Sequence, residues 1–138
     1  MRLRDKVAIV TGAGSGIGCG IAEAFGREGA QVMVTDIHAG ATHETASRIA
    51  TGGGVSACIV ADVCSTSAVD ALVGETVRQF GRLDVMVNCA GIAASGTILE
   101  TSEELWDRIL NVNLRAVFLC CKRALLEMVP KKRGNIIN

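Results

Sequence analysis

The 138-residue chain contains no tyrosine, one proline and one tryptophan, and its 14 basic and 14 acidic residues cancel. Recognition of a nucleic-acid backbone or an acidic membrane rests on a basic excess, which is missing here. Long hydrophobic runs are missing as well. Although 49% of the residues are hydrophobic, no apolar stretch approaches the roughly 20 residues that a bilayer-spanning helix needs. No charged leader with a cleavage site precedes the first apolar segment, so a cytoplasmic protein without a targeting peptide is expected. Low-complexity tracts are also absent, which argues against a disordered chain and for one globular domain over residues 1–138. The six cysteines, Cys19, Cys58, Cys64, Cys89, Cys120 and Cys121, form no C-x-x-C pair. Reduced thiols within apolar segments are expected, with no disulfide and no metal. His38 and His43 fall in a polar stretch and read as surface residues.

Glycine is the residue in excess, 16 of 138 against a usual share of about 7%, so its positions carry information. Short apolar runs alternate with helical patterns along the chain. "KVAIVT" (6–11) is a continuous apolar strand of the kind buried on both faces of a parallel sheet. A helix follows with Ile17, Ile21, Ala24 and Phe25 on one face and Gly29 as its stop. "QVMVTD" (31–36) predicts a second strand, residues 41–51 a polar helix, and "VSACIVAD" (55–62) a third strand. Ser65 or Thr66 can cap a helix that runs to Phe80 with Ala68, Leu72, Val73 and Val77 inward, ended by Gly81. "LDVMVN" (83–88) predicts a fourth strand. Thr101 and Glu104 then have capping-box spacing, and helices extend to Val129, where Pro130 stops them. "NIIN" (135–138) is a fifth strand. Regular alternation with short connections predicts an α/β, doubly wound parallel sheet.

Ligands of such sheets bind beyond the carboxyl ends of the strands, and "TGAGSGIG" (11–18) lies there. Glycines permit the tight turn and let bare backbone approach a pyrophosphate, while the helix N-terminus adds N–H donors and a positive dipole end. A turn that merely packs closely is the alternative. No Lys-Ser/Thr pair follows the loop, so it is not the cradle of a triphosphate hydrolase. Asp36 ends the second strand 20 residues after Gly16, where a carboxylate can accept hydrogen bonds from ribose hydroxyls. A 2′-phosphate would meet a like charge there with no Arg or Lys beside it, so NAD(H) is expected in preference to NADP(H). An unrelated surface aspartate is the alternative.

The glycine spacing is T-G-x-x-x-G-x-G, and three further stretches accompany it: Asp62-Val63, "NCAG" (88–91) and "NVN" (111–113). In these motifs the chain, from Lys6 to Asn138, resembles the short-chain dehydrogenase/reductase family. The resemblance implies a Rossmann-type sheet of strand order 3-2-1-4-5, incomplete on its C-terminal side. It implies that amides around Gly12, Ser15, Gly16, Ile17 and Gly18 hold the pyrophosphate and that Asp62 and Val63 contact adenine. It also implies that Asn88, Ala90 and Gly91 line the floor beneath the adenosine ribose. Asp62 as a helix-preceding cap and Asn88 as a strand-end hydrogen bond remain alternatives. Position 89 departs from the family's usual N-N-A-G, carrying cysteine.

Hydride transfer to a carbonyl needs a proton donor and polarisation of the C=O bond. The resemblance implies a tyrosine acid/base, a lysine in Tyr-x-x-x-Lys, a serine on the carbonyl oxygen, and a helix asparagine supporting the lysine through water. Asn113 matches the asparagine. The chain has no tyrosine, so it is expected to be the cofactor-binding part of an alcohol/ketone oxidoreductase, truncated before the catalytic serine and inactive alone. The alternatives are a non-catalytic nucleotide-binding module and a remnant that does not fold stably. Expected partners are a dinucleotide and a small alcohol or ketone, with the homo-oligomerisation usual in the family. The bare fifth strand and the apolar helix 113–129 also favour aggregation. "KKR" (131–133) reads as a solvated helix C-terminus.

Overall fold

Val7–Val10 (β1) is buried at all four positions, as a run with no polar alternation must be. The structure, a computed structural model, describes all residues from Met1 to Asn138. β1 is followed by α1 (Gly16–Arg27), β2 (Gln31–Asp36), α2 (Ala39–Thr51), β3 (Val55–Val60), α3 (Thr66–Phe80) and β4 (Val85–Val87). Then come α4 (Glu103–Leu110), a π-turn (Asn111–Arg115), α5 (Ala116–Met128) and β5 (Asn135–Ile137). All four strand pairings are parallel and the order is β3-β2-β1-β4-β5, the predicted α/β sheet.

Side-chain alternation divides the core between the two faces. Ala8, Val10, Val32, Val34, Val85 and Val87 meet Ala22 of α1 and Ala46 and Ile49 of α2. Ile9, Met33 and Met86 meet Val69, Leu72 and Val73 of α3 and Ala116, Cys120, Ala124 and Met128 of α5. No helix is long and apolar enough to cross a membrane. No disulfide forms, and no cluster of three potential metal ligands exists.

The buried face of α1 differs from the expected one. Ile17 is 77% exposed, and Gly18, Cys19, Ala22 and Gly26 face inward instead of Ile17, Ile21, Ala24 and Phe25. The cause is the closeness of the helix to its neighbours. A Cβ on Gly26 would stand 2.6 Å from Ile49 Cγ2, and one on Gly18 would stand 2.2 Å from the Gly12 carbonyl oxygen. Only small side chains fit such a seam, so Ile21 and Phe25 pack along its flanks. In α3 the buried residues are Val69, Leu72, Val73 and Thr76, a face rotated by one residue from Ala68 and Val77. Its caps are as predicted, with Ser65 Oγ accepting from the Ala68 amide and Gly81 left-handed at φ +81°.

Thr101 does not cap α4. Its hydroxyl donates to the Thr97 carbonyl at 2.9 Å, and Ser102 accepts from the Leu105 amide at 3.2 Å instead. The long helix predicted for 113–129 is interrupted at its start by the π-turn, where the Ala116 amide reaches back to the Asn111 carbonyl. Beyond it, small residues and Met128 face the sheet, while Phe118, Leu126 and Val129, like Leu114 within the turn, are each more than half exposed.

The amino end of the sheet is closed by Asp84, 4% exposed, whose Oδ2 accepts from the Val7 amide at 3.0 Å and whose Oδ1 pairs with Arg82. Burial alone would raise its carboxyl. The Arg82 and Val7 hydrogen bonds, with the charges of Arg82 and Lys6, outweigh burial and hold it below its ordinary value.

Candidate functional site

At the carboxyl end the strands open into a cleft of about 630 Å³. Gly12 and Ser15 to Gly18 form one wall, and Thr35 to His38 with Ala61 to Cys64 form another. Cys89 to Ile92 and the helical residues Arg108, Asn111 and Val112 complete it. Every residue singled out in the sequence lies there except Asn88 and Asn113.

The three motif glycines are required for three different reasons. Gly12 has φ +61°, and a Cβ on it would stand 2.7 Å from Ala90 Cα, so it joins the first loop to the loop after β4. Gly18 seats α1 against the Gly12 carbonyl. Gly16 has φ +54° yet a Cβ there would meet nothing within 4 Å, so it turns the chain beside open space. Ser15 is the N-cap of α1 but its side chain makes no capping hydrogen bond, and no acidic residue lies in the first turn. In contrast, Ser65 and Ser102 both cap their helices. The opening amides of α1 therefore lack intrahelical partners, and a free hydroxyl stands among them.

Thr11, the first letter of the glycine motif, organises the opposite loop. Its buried hydroxyl accepts from the amides of Cys89 at 3.0 Å and Ala90 at 3.1 Å and donates to the Val87 carbonyl at 3.3 Å. Sequence reasoning missed this role, although the Thr directly before the first glycine was the available signal. Asn113 acts on the same loop from the π-turn. Its Oδ1 accepts from the Ile92 amide at 2.9 Å and its Nδ2 donates to the Ile92 carbonyl at 2.8 Å. Arg115, also unanticipated, donates to the Cys64 carbonyl at 2.9 Å. The π-turn thus ties down two of the loops that flank the cleft, those after β3 and β4.

Asn88 turns away from the cleft. Strand alternation places Val87 on the α1–α2 side, so Asn88 points toward α5, donating to Asn138 Oδ1 at 2.8 Å and to Cys121 Sγ at 3.4 Å. Asp62 shapes its own turn, with Oδ1 accepting from the Cys64 amide at 2.9 Å, and Val63 is 6% exposed in the core.

Asp36 is fixed from both sides by main-chain donors. Oδ2 accepts from the Gly14 amide at 3.0 Å and Oδ1 from the His38 amide at 3.0 Å. Neither partner is a cation, so no ion pair occupies the carboxylate and its remaining lone pairs are left for a ligand. Beside it the Thr35 hydroxyl is buried without a partner in the cleft wall. A crevice with unpartnered helix amides, an uncapped serine and an unpaired carboxylate fits a ligand with a diphosphate and vicinal hydroxyls.

The family model described as short chain dehydrogenase matches residues 6–138. Over its full length the chain is 38% identical to the (2S)-[(R)-hydroxy(phenyl)methyl]succinyl-CoA dehydrogenase subunit BbsD of Thauera aromatica, covering 56% of that protein. It is 38% identical to 2-(S)-hydroxypropyl-CoM dehydrogenase 3 of Xanthobacter autotrophicus, with 99% of this chain and 54% of that protein covered. A crystal structure described as a short-chain dehydrogenase/reductase from Burkholderia xenovorans superposes with a TM-score of 0.94 at 35% identity, over 98% of this chain and 55% of that one. The chain spans about half the length of the relatives it matches.

Proposed function

The chain belongs to the short-chain dehydrogenase family, and from that premise we propose that it is the NAD(H)-binding part of an oxidoreductase that interconverts a secondary alcohol and a ketone. The observation that carries this reading is the placement of the free α1 amides opposite a carboxylate that no cation neutralises. The amides of Ser15 to Gly18 would hold the pyrophosphate, with Gly12 and Gly16 letting it approach the main chain. Asp36 would accept from both adenosine ribose hydroxyls and repel a 2′-phosphate, giving NAD(H) preference. Asp62 and Val63 would bound the adenine, and Ala90 and Gly91 the adjoining ribose.

When bound, the dinucleotide supplies or accepts the hydride. Asn113 holds the floor of the site through Ile92, a positioning role. The chain contains no tyrosine, and Asn88, behind the cleft, offers only structural hydrogen bonds. The 138 residues alone therefore bind cofactor without turning it over. Assaying the purified chain with NAD⁺ or NADH and a panel of secondary alcohols and ketones should show no steady change in reduced-cofactor absorbance. Sustained turnover would refute this reading. A non-catalytic dinucleotide-binding module is favoured instead by the same lack of tyrosine; it predicts equal binding with no requirement for substrate.

A further inference from the structure

The motif T-G-x-x-x-G-x-G leaves position 14 open, yet a glycine stands there too. Of the four glycines in the loop, Gly14 alone has side chains as its nearest neighbours. A Cβ on it would stand 2.9 Å from Asp36 Cγ, 3.0 Å from Asp36 Oδ2 and 3.0 Å from Ala41 Cβ. Its φ is not positive, so an alanine backbone fits and only the space is contested. Gly14 does not line the cleft, whereas Asp36 does. We propose that Gly14 is a positioning residue for cofactor choice. Its missing side chain is the seat of the Asp36 carboxylate, and a side chain at position 14 turns that carboxylate off the adenosine ribose. The inference rests on the dinucleotide reading of the cleft.

The two sides of this seat yield unequally. Ala41 lies in the first turn of α2, and its methyl moves only with the helix. The Asp36 main chain is equally fixed, because its carbonyl accepts from the Ala61 amide at 3.1 Å. The carboxylate, by contrast, is the free end of a short side chain and leaves by rotation about χ1. An added methyl is therefore relieved by the carboxylate and not by the fold. The move gives up the 3.0 Å hydrogen bond from the Gly14 amide to Oδ2, one of the two that orient Asp36. Released from it, the carboxylate must be ordered again by the ribose hydroxyls, and NAD⁺ affinity falls. NADP⁺ gains nothing from that carboxylate and loses nothing when it moves, so the gap between the cofactors narrows.

The test is calorimetric titration of NAD⁺ and NADP⁺ into the intact chain, Gly14→Ala, Asp36→Ala and the double variant, with urea unfolding of each. Gly14→Ala should weaken NAD⁺ roughly tenfold, the lower end of what a hydrogen bond to a charged group contributes. It should leave NADP⁺ affinity and the unfolding midpoint nearly unchanged. In the Asp36→Ala background the same methyl should cost no more than about twofold, because its effect passes through the carboxylate. Gly20→Ala, which adds a methyl where nothing stands within 4 Å, should change neither affinity. Equal NAD⁺ losses in the two backgrounds would mean that the methyl obstructs the ligand directly, overturning this inference while sparing the dinucleotide reading. A Gly14→Ala chain that binds both cofactors as the parent does would have the same consequence. So would a collapse of its unfolding midpoint, since the main chain and not the carboxylate would then bear the contact. A folded parent chain that binds neither dinucleotide would overturn both.

Discussion

Two aspartates at opposite ends of the sheet receive main-chain amides and do different work. Asp84, at the amino end, accepts from Val7, pairs with Arg82, and lies 3.9 Å from Arg133. Asp36, at the carboxyl end, accepts from Gly14 and His38 and has no guanidinium. The first carboxylate is consumed by the fold, and its charge is cancelled. The second is oriented by the fold, and its charge remains available. The same side chain thus serves stability where cations surround it and, under the proposed function, recognition where they are withheld.

Removing each carboxylate separates the two roles. Asp84→Ala leaves a buried amide and a guanidinium without their partner and should cost about 3 kcal/mol of stability, read by urea unfolding, with NAD⁺ affinity unchanged in the folded fraction. The same site sets an acid limit. Because the folded carboxyl of Asp84 lies below its ordinary value, its stabilisation is complete above the unfolded-state value of about 3.9. It is lost as pH falls from there through the folded value. Acid unfolding curves of the intact chain should show this loss, and Asp84→Ala should lack it.

Thr11→Val, nearer the cleft, deprives the Cys89 and Ala90 amides of their acceptor and should cost about 2 kcal/mol. Unlike Asp84→Ala it should also weaken NAD⁺ binding, since the freed loop borders the cleft. Asp36→Ala should barely move the unfolding midpoint but weaken NAD⁺ roughly tenfold or more, as loss of a charged hydrogen-bond partner does. It should also narrow the gap to NADP⁺. Arg115→Ala should have the smallest effect, a faster amide exchange around Cys64 with only a modest loss of affinity. A matched stability loss in Asp36→Ala and Asp84→Ala would erase the distinction between the two ends.

Local patterns made much of this molecule legible in its sequence. Continuous apolar runs specify parallel strands, and the glycine spacing specifies a loop whose three glycines each meet a separate steric demand. The closeness of two elements is not a local property. That is why the inner face of α1 differs from the apolar face of its sequence: the seam with β1 and α2 admits only Gly18, Cys19, Ala22 and Gly26. Thr101 and Ser102 are both competent caps, and only the turn at Thr97 decides between them. The π-turn, and with it the ties from Asn113 to Ile92 and from Arg115 to Cys64, joins residues 21 and 51 positions apart. No periodicity within the helix announces such partners.

Titration of NAD⁺ and NADP⁺ into the intact, folded chain by calorimetry tests the central claim most directly. The account predicts saturable one-site NAD⁺ binding and NADP⁺ binding roughly tenfold weaker or more, a gap that Asp36→Ala closes. A well-folded chain that binds neither dinucleotide, or binds both equally before and after that substitution, would contradict it.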